Sequence, residues 1–408
     1  MRLTPERKRL FRQVAAAVMG IGVLTVIFLW LTTSTIAVTS QPDAQIFIRQ
    51  DGSESEYAGT GRAVFRTRSS ATVFVEARAE GRVTQQAVKP RRARTTAADL
   101  QLRELAETRA IAEGPLIFPH IEKGFIYGIN PRTKSLAVNP LGRADRLEPA
   151  LPNLPFVKRI IWLGSASHFL YVSQGRGTGV IGGRQPRAGL PYTDAALLPG
   201  TSDLALLAAD GVYLARRANF QTASKIADTT ANSAPSIFAD GGRIFFASLI
   251  FEELEQEADQ PRGVETRLLV FGRGGEQQHD FRLELTEPIY KIVALDDDTA
   301  GLLTGTGLTE LELASGKTAE RAFDFGRVRD LIVFRDRRLL LSETGLWEYD
   351  AASGASYKIA GYPTGEEYTD NSLAVINGAL YFSTSIKRDE LLKDSTAARS
   401  SVYRVVLE

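Results

Sequence analysis

The chain has 408 residues, 44% hydrophobic and 24% charged, with a formal net charge of +1. This is ordinary globular composition, and a charge near zero gives no global attraction to nucleic acid, so no nucleic-acid partner is expected. The absence of cysteine excludes disulfides, thiolate metal sites, thioether haem attachment and cysteine nucleophiles.

Residues 1–12 are a basic tail: Arg2, Arg7, Lys8, Arg9 and Arg12 stand against Glu6. Residues 13–33 follow as a predicted transmembrane helix. Its centre, Val14 to Leu31, is eighteen residues without a charge. As a helix it is roughly 27 Å long, close to the thickness of a bilayer's hydrocarbon core. Val14, Val18, Ile21, Leu24, Ile27, Phe28, Trp30 and Leu31 are the expected lipid contacts, with Trp30 near the interface. The run is longer than the apolar region of a signal peptide, and Thr32 to Ala37 offers no small-x-small cleavage site. An uncleaved signal anchor is therefore preferred over a cleaved signal. Only Arg49 is basic in the thirty residues after the run. The positive-inside rule then keeps the N-terminus cytoplasmic and exports the bulk of the chain. The expected location is the plasma membrane, with a single pass through the bilayer.

Residues 34–107 read as a small all-β unit. Strands are expected at 36–40, 45–49, 63–65, 72–77, 83–89 and 98–105, with turns at Asp51-Gly52 and Glu80-Gly81. The order of Ser40-Gln41-Pro42-Asp43-Ala44, Asp51-Gly52 and Gly59-Thr60-Gly61 resembles a PEGA domain. It departs from that pattern where Gly59-Thr60-Gly61 lacks the proline and Arg82 stands in place of an aromatic. The resemblance implies an extracytoplasmic β-sandwich that acts as a spacer or surface-binding unit. Charge here is lopsided, with nine bases and two acids between Arg62 and Arg94. Arg78, Arg82, Lys89, Arg91, Arg92 and Arg94 are the candidate contacts to an anionic surface. The alternative is a solvated face.

Residues 106–115 read as a connector. An internal repeat then fills 112–408. Strand-like runs begin near Phe125, Phe169, Leu204, Ile244, Gly301, Leu339 and Ala379, about 40 residues apart. A second run follows each, near Ser135, Gly179, Gly211, Arg267, Gly307, Gly345 and Val402. A leading run precedes some pairs, as at Arg159, Lys291 and Asp330. Seven units of this size predict a β-propeller of about seven blades. Leu308 to Lys317 and Leu346 to Gly354 resemble the strand-and-turn of quinoprotein-like and WD40-like propellers. The resemblance implies fold alone and no quinone cofactor. The expected fold class is mainly β: a transmembrane helix, a β-sandwich module and a propeller.

No catalytic constellation emerges. Ser315-Gly316-Lys317-Thr318 ends like a P-loop, but Leu311 stands where its first glycine belongs. Gly175 to Gly179 opens no helix, and there is no Gly-x-Ser-x-Gly elbow. Asp296-Asp297-Asp298 has carboxylates for a cation but reads as a turn. His120, His168 and His279 are isolated. No catalytic residue, cofactor or metal ligand is assigned. The acidic stretch Glu252, Glu253, Glu255, Glu257 and Asp259 is a candidate partner loop, or else a solvated one. These features together predict a membrane-anchored binding or scaffold protein whose propeller recognises a protein, a peptide or an envelope polymer. The alternative is a propeller hydrolase or lyase acting on a cell-wall glycan.

Overall fold

The computed structural model describes residues 18–19, 33–50, 53–67, 71–114, 117–122, 125–130, 135–140, 148–151, 157–165, 168–173, 177–181, 187–252, 262–305, 307–362, 373–376, 378–384 and 400–407. The chain is mainly β and divides into two compact units. The first comprises residues 1–104 together with Asp350–Lys358; the second comprises Leu105–Tyr349 and Ile359–Glu408.

The first unit is built from β1 (Ser34–Ser40), β2 (Gln45–Gln50), β3 (Glu56–Thr60), β4 (Arg62–Thr67), β5 (Val73–Ala79), β6 (Arg82–Val88) and β7 (Thr95–Leu100). One sheet has the order β4-β1-β7, with β1 antiparallel to β4 and parallel to β7. The other runs β6-β5-β2-β3, all antiparallel. Alternation in β1 and β5 puts every second side chain inside. Ile36 and Val38 meet Ile46, Val73, Val75 and Leu100 in one fully buried core. Each such aliphatic side chain contributes roughly 1.5–3 kcal/mol. Gly61 (φ +66°) sits where β1 gives way to the Pro42 turn, and a Cβ there would meet the Pro42 Cα and O at 3.0 Å.

The unit also takes in Asp350–Lys358. Ala355, Ser356 and Tyr357 pair with Gln86, Gln85 and Thr84 of β6. The Gln86 amide donates to the Ser353 carbonyl at 2.6 Å, and the Arg103 guanidinium lies 3.6 Å from the Tyr357 ring centroid.

The second unit opens with β8 (Glu107–Gly114) and continues as seven antiparallel meanders. The first two are β9 (Ile117–Glu122), β10 (Phe125–Asn130), β11 (Ser135–Pro140), β12 (Glu148–Leu151), and β13 (Val157–Ser165), β14 (His168–Ser173), β15 (Gly177–Ile181), β16 (Arg187–Leu190). The third and fourth are β17 (Tyr192–Leu197), β18 (Leu204–Ala208), β19 (Gly211–Ala215), β20 (Ser224–Asp228), and β21 (Ser233–Asp240), β22 (Arg243–Phe251), β23 (Gly263–Phe271), β24 (Gln277–Leu283). The fifth is β25 (Lys291–Ala294), β26 (Thr299–Leu303), β27 (Leu308–Glu312), β28 (Thr318–Arg321). The sixth has β29 (Val328–Phe334), β30 (Arg337–Ser342) and β31 (Gly345–Asp350) in this unit; β32 (Ala355–Ala360) is divided between the two. The seventh has β33 (Leu373–Ile376), β34 (Ala379–Thr384) and β35 (Ser400–Val406), and β8 completes it as fourth strand.

The leading strands β9, β13, β17, β21, β25, β29 and β33 neighbour one another in that order, and β33 returns to β9. This closed circuit is β-propeller-like. The cores lie between successive sheets. Phe245, Leu268 and Val270 of the fourth meet Ile292, Leu302 and Leu311 of the fifth. Ala205, Leu207 and Val212 of the third meet Ile244, Phe246 and Phe271 of the fourth. Middle strands are covered on both faces, which is why Leu204–Ala208 is buried at every position.

Three expectations change. The 106–115 stretch contains strand β8, paired with β35 across nearly the whole unit; a local reading cannot see a partner so distant in sequence. The 98–105 strand is instead Thr95–Leu100, because Gln101 onward leaves the ladder. Strand β3 is unanticipated, since Glu56–Thr60 is an exposed edge with no apolar alternation.

Candidate functional site

The most distinctive surface is one end of the first unit. After β6, the chain turns through Lys89 to Arg94 before entering β7. The Ala93 N–H donates to the Thr33 carbonyl at 3.0 Å, and the Thr35 N–H donates to the Arg94 carbonyl at 3.1 Å. The Arg94 N–H closes the turn onto the Arg91 carbonyl at 3.1 Å, and Ala93 takes a left-handed φ of 53°. The turn is thus bonded to the first residues of β1. Arg66 joins them, since it faces Thr35 across the β1–β4 ladder. Arg66, Lys89, Arg91, Arg92 and Arg94 are all exposed. Among the described residues, none of the five has an ion pair.

The other two candidates lie elsewhere and are neutralised. Arg82 is at the opposite end of β6, with its side chain only 15% exposed. It sits 3.0 Å from Glu104, 3.3 Å from Glu80 and 4.0 Å from Asp43. Arg78 pairs with Glu76 and lies 4.7 Å from the Phe47 ring centroid. The structure therefore splits the six sequence candidates: Lys89, Arg91, Arg92 and Arg94 share one turn, while Arg78 and Arg82 are bound to acids. Arg66 belongs with the first group. Sequence reading left it out because only the β1–β4 register brings it there.

Of the expected anchor, only Val18 lies among the described residues; it and Met19 are helical and exposed. Val14, Ile21, Leu24, Ile27, Phe28, Trp30 and Leu31 lie outside them. Among the described residues no helix is long and apolar enough to cross a membrane. In the acidic loop Glu252 is described and exposed. Glu253, Glu255, Glu257 and Asp259 lie outside the described residues.

In the second unit, carboxylates close the seams between sheets. Asp330 of β29 accepts from the Leu331 N–H at 2.8 Å and from the Leu373 N–H of β33 at 2.7 Å, and it pairs with Lys291 of β25. Asp240 of β21 accepts from the Ala294 N–H of β25 at 2.8 Å. Glu310 is buried and holds Arg321 at 2.7 Å together with Arg338 of the next sheet. The Glu310 carboxylate holds the Arg321 guanidinium above its ordinary range. Glu348 is bound by Arg337. Asp330, Asp240 and Glu310 thus join neighbouring sheets through cations and backbone N–H groups, while the Glu348–Arg337 pair lies within the sixth sheet.

The remaining motifs resolve into local structure. Ser315 and Gly316 form a turn: the Gly316 N–H donates to the Glu312 carbonyl at 2.8 Å with φ at +72°. The Asp296 carboxylate accepts from the Asp298 N–H at 2.9 Å. His279 stacks on Phe281 at 5.3 Å. Among the described residues, no three His, Asp or Glu side chains are grouped to hold a metal ion. A cavity of about 360 Å³ opens between the third and fourth sheets, lined by Thr193, Asp194, Thr229, Thr230, Ser233 and Pro235. Asp194 is buried there and accepts from the Ala195 N–H at 2.8 Å.

No family model matches the chain, and no curated protein matches it. Among solved structures, the chain is similar to BBS1N, crystallised in complex with ARL6DN and soaked with mercury. The TM-score is 0.47 at 9% identity, over 74% of this chain and 98% of that one. It is also similar to the AfRom2 CNH domain, with a TM-score of 0.35 at 9% identity over 62% and 95%. A third likeness is to a protein of unknown function from Bacteroides caccae, at TM-score 0.39 and 10% identity over 57% and 85%. At these scores the neighbours identify no family.

Proposed function

We propose that this chain is a single-pass, membrane-anchored, extracytoplasmic binding or scaffold protein. In this reading Val14–Leu31 is the anchor, the first unit is a PEGA-like β-sandwich, and the second is a seven-bladed, WD40-like propeller. The propeller engages a protein, a peptide or an envelope polymer. One observation carries the reading: the closed circuit of seven meanders. Such a circuit is a rigid scaffold, and loops on a rigid scaffold are where recognition resides. The apolar run supports the location, because it ends two residues before Thr33, the point where the folded unit begins.

The test uses membranes from cells expressing the full chain. The protein is expected to stay with the membrane through alkaline carbonate washing, and a C-terminal epitope to be cut by protease added outside. Release into the wash would refute the anchor. Purified wall polymer or envelope peptides should bind the full chain saturably. Release of glycan fragments from the polymer would replace binding with hydrolase or lyase activity.

A further inference from the structure

We propose that the Lys89–Arg94 turn, with Arg66, is a docking edge for anionic phospholipid headgroups on the bilayer that Val14–Leu31 crosses. The proposal rests on the anchored reading above. Three observations converge on it.

The first is connectivity. Thr32 alone separates Leu31 from Thr33, and two residues span at most about 7 Å. Thr33 is the residue whose carbonyl accepts the Ala93 N–H. The headgroup layer on each side of a bilayer is itself about 5–8 Å thick. The turn is therefore tied, through its backbone, within about one headgroup layer of the end of the span.

The second is charge. Arg66, Lys89, Arg91, Arg92 and Arg94 are exposed, and no carboxylate among the described residues pairs with them. Of the described acids at this end, Asp350 is taken up by the Ser353 hydroxyl and the Ala352 N–H, while Glu54 and Glu56 lie at the start of the β3 edge, three strands from β6. That is about 14 Å across the sheet. Arg82, at the far end of β6, is enclosed by Glu80, Glu104 and Asp43. Positive charge is thus left free around this turn, whereas Arg78 and Arg82, toward the other end of the sheet, are paired with acids.

The third is chemistry. Guanidinium forks match phosphate oxygens in bidentate geometry, and three of the four bases in the turn are Arg. The short tether to the span keeps them within reach of headgroup phosphates. A wall polymer would have to reach the same narrow edge.

The test uses the full chain reconstituted into vesicles of phosphatidylcholine, with or without phosphatidylglycerol. The chain has no cysteine, so Thr95→Cys supplies a unique labelling site beside the turn. A fluorophore there is read against a headgroup-attached quencher. Quenching should be stronger on the anionic vesicles and fall as salt rises. Combined Arg91→Gln, Arg92→Gln and Arg94→Gln should weaken the docked state by about fivefold for each Arg removed. The same three changed to Lys should retain it. Equal quenching on both vesicles, or indifference to the Gln changes, would overturn the proposal. So would a response to soluble polyanionic wall polymer with none to anionic vesicles. Washing off neutral vesicles would refute the anchor alone, because the label still reports on anionic vesicles.

Discussion

Asp330 gathers donors from three successive sheets: Lys291 from the fifth, its own neighbour Leu331, and Leu373 from the seventh. Removing the carboxylate leaves two backbone N–H groups and an ammonium without their partner. Asp330→Ala should therefore cost about 2–4 kcal/mol, seen as a lower urea midpoint. Asp330→Asn keeps an accepting oxygen and should cost less. An unchanged midpoint for the Ala variant would show that the seam does not depend on this group. Asp350 offers a second residue-scale test. Its carboxylate takes the Ser353 hydroxyl at 2.7 Å and the Ala352 N–H at 2.9 Å. These bonds, the Ser353 hydroxyl foremost, hold it below its ordinary 3.8. A depressed folded-state value means the stabilisation is present above 3.8 and is lost as pH falls through the folded value. Asp350→Asn should thus flatten the acid limb of the stability profile below pH 3.8, measured by denaturant unfolding. An acid limb as steep as the parent's would assign it to other carboxylates.

At the scale of elements, the strands that sequence exposed are those buried on both faces. The seven runs beginning near Phe125, Phe169, Leu204, Ile244, Gly301, Leu339 and Ala379 are the second strand of each meander, and the seven that follow them are the third. Their patterns were legible because sheets cover them above and below, as Leu339, Leu340 and Leu341 are all fully buried. Fourth strands were not legible. Thr318–Arg321 is almost wholly exposed and Ser224–Asp228 nearly so, so neither carries apolar alternation. The closing strand β8 is the extreme case, because its partner β35 is the last strand of the chain. Arg109 and Arg404 face each other in that ladder, and both are exposed. Arg109→Cys with Arg404→Cys should oxidise to a disulfide in a chain that otherwise has no thiol. Joining ends so far apart should stabilise the unit by about 2–4 kcal/mol. Failure to oxidise would contradict the β8–β35 register.

At the scale of the molecule, the first unit is discontinuous. Residues 34–104 supply two sheets and a core, yet the β6 edge is completed by Ala355–Tyr357. A bare edge is both less stable and prone to pair with other chains. A fragment of residues 33–104 should therefore unfold at lower denaturant than the same fragment with Asp350–Lys358 appended by a flexible linker. Matching midpoints would show that the late segment is dispensable. The candidate site has the same character. The sequence announced a basic stretch from Arg62 to Arg94, but not which bases were free. Arg82 looked equivalent to Arg91 until folding placed Glu104, Glu80 and Asp43 around it.

By itself the sequence determined the β class, the seven-fold repeat and the apolar run ahead of the first strand. Each is a matter of local periodicity, which burial imposes on neighbouring residues. Only the tertiary structure decided that β8 closes the circuit, that Asp350–Lys358 joins the first unit, and that the Lys89–Arg94 turn is bonded to Thr33 and Thr35. Each of these is a pairing between segments far apart in the chain. Backbone hydrogen bonds make such pairings, and they are blind to side-chain identity, so they leave little trace in the residues themselves.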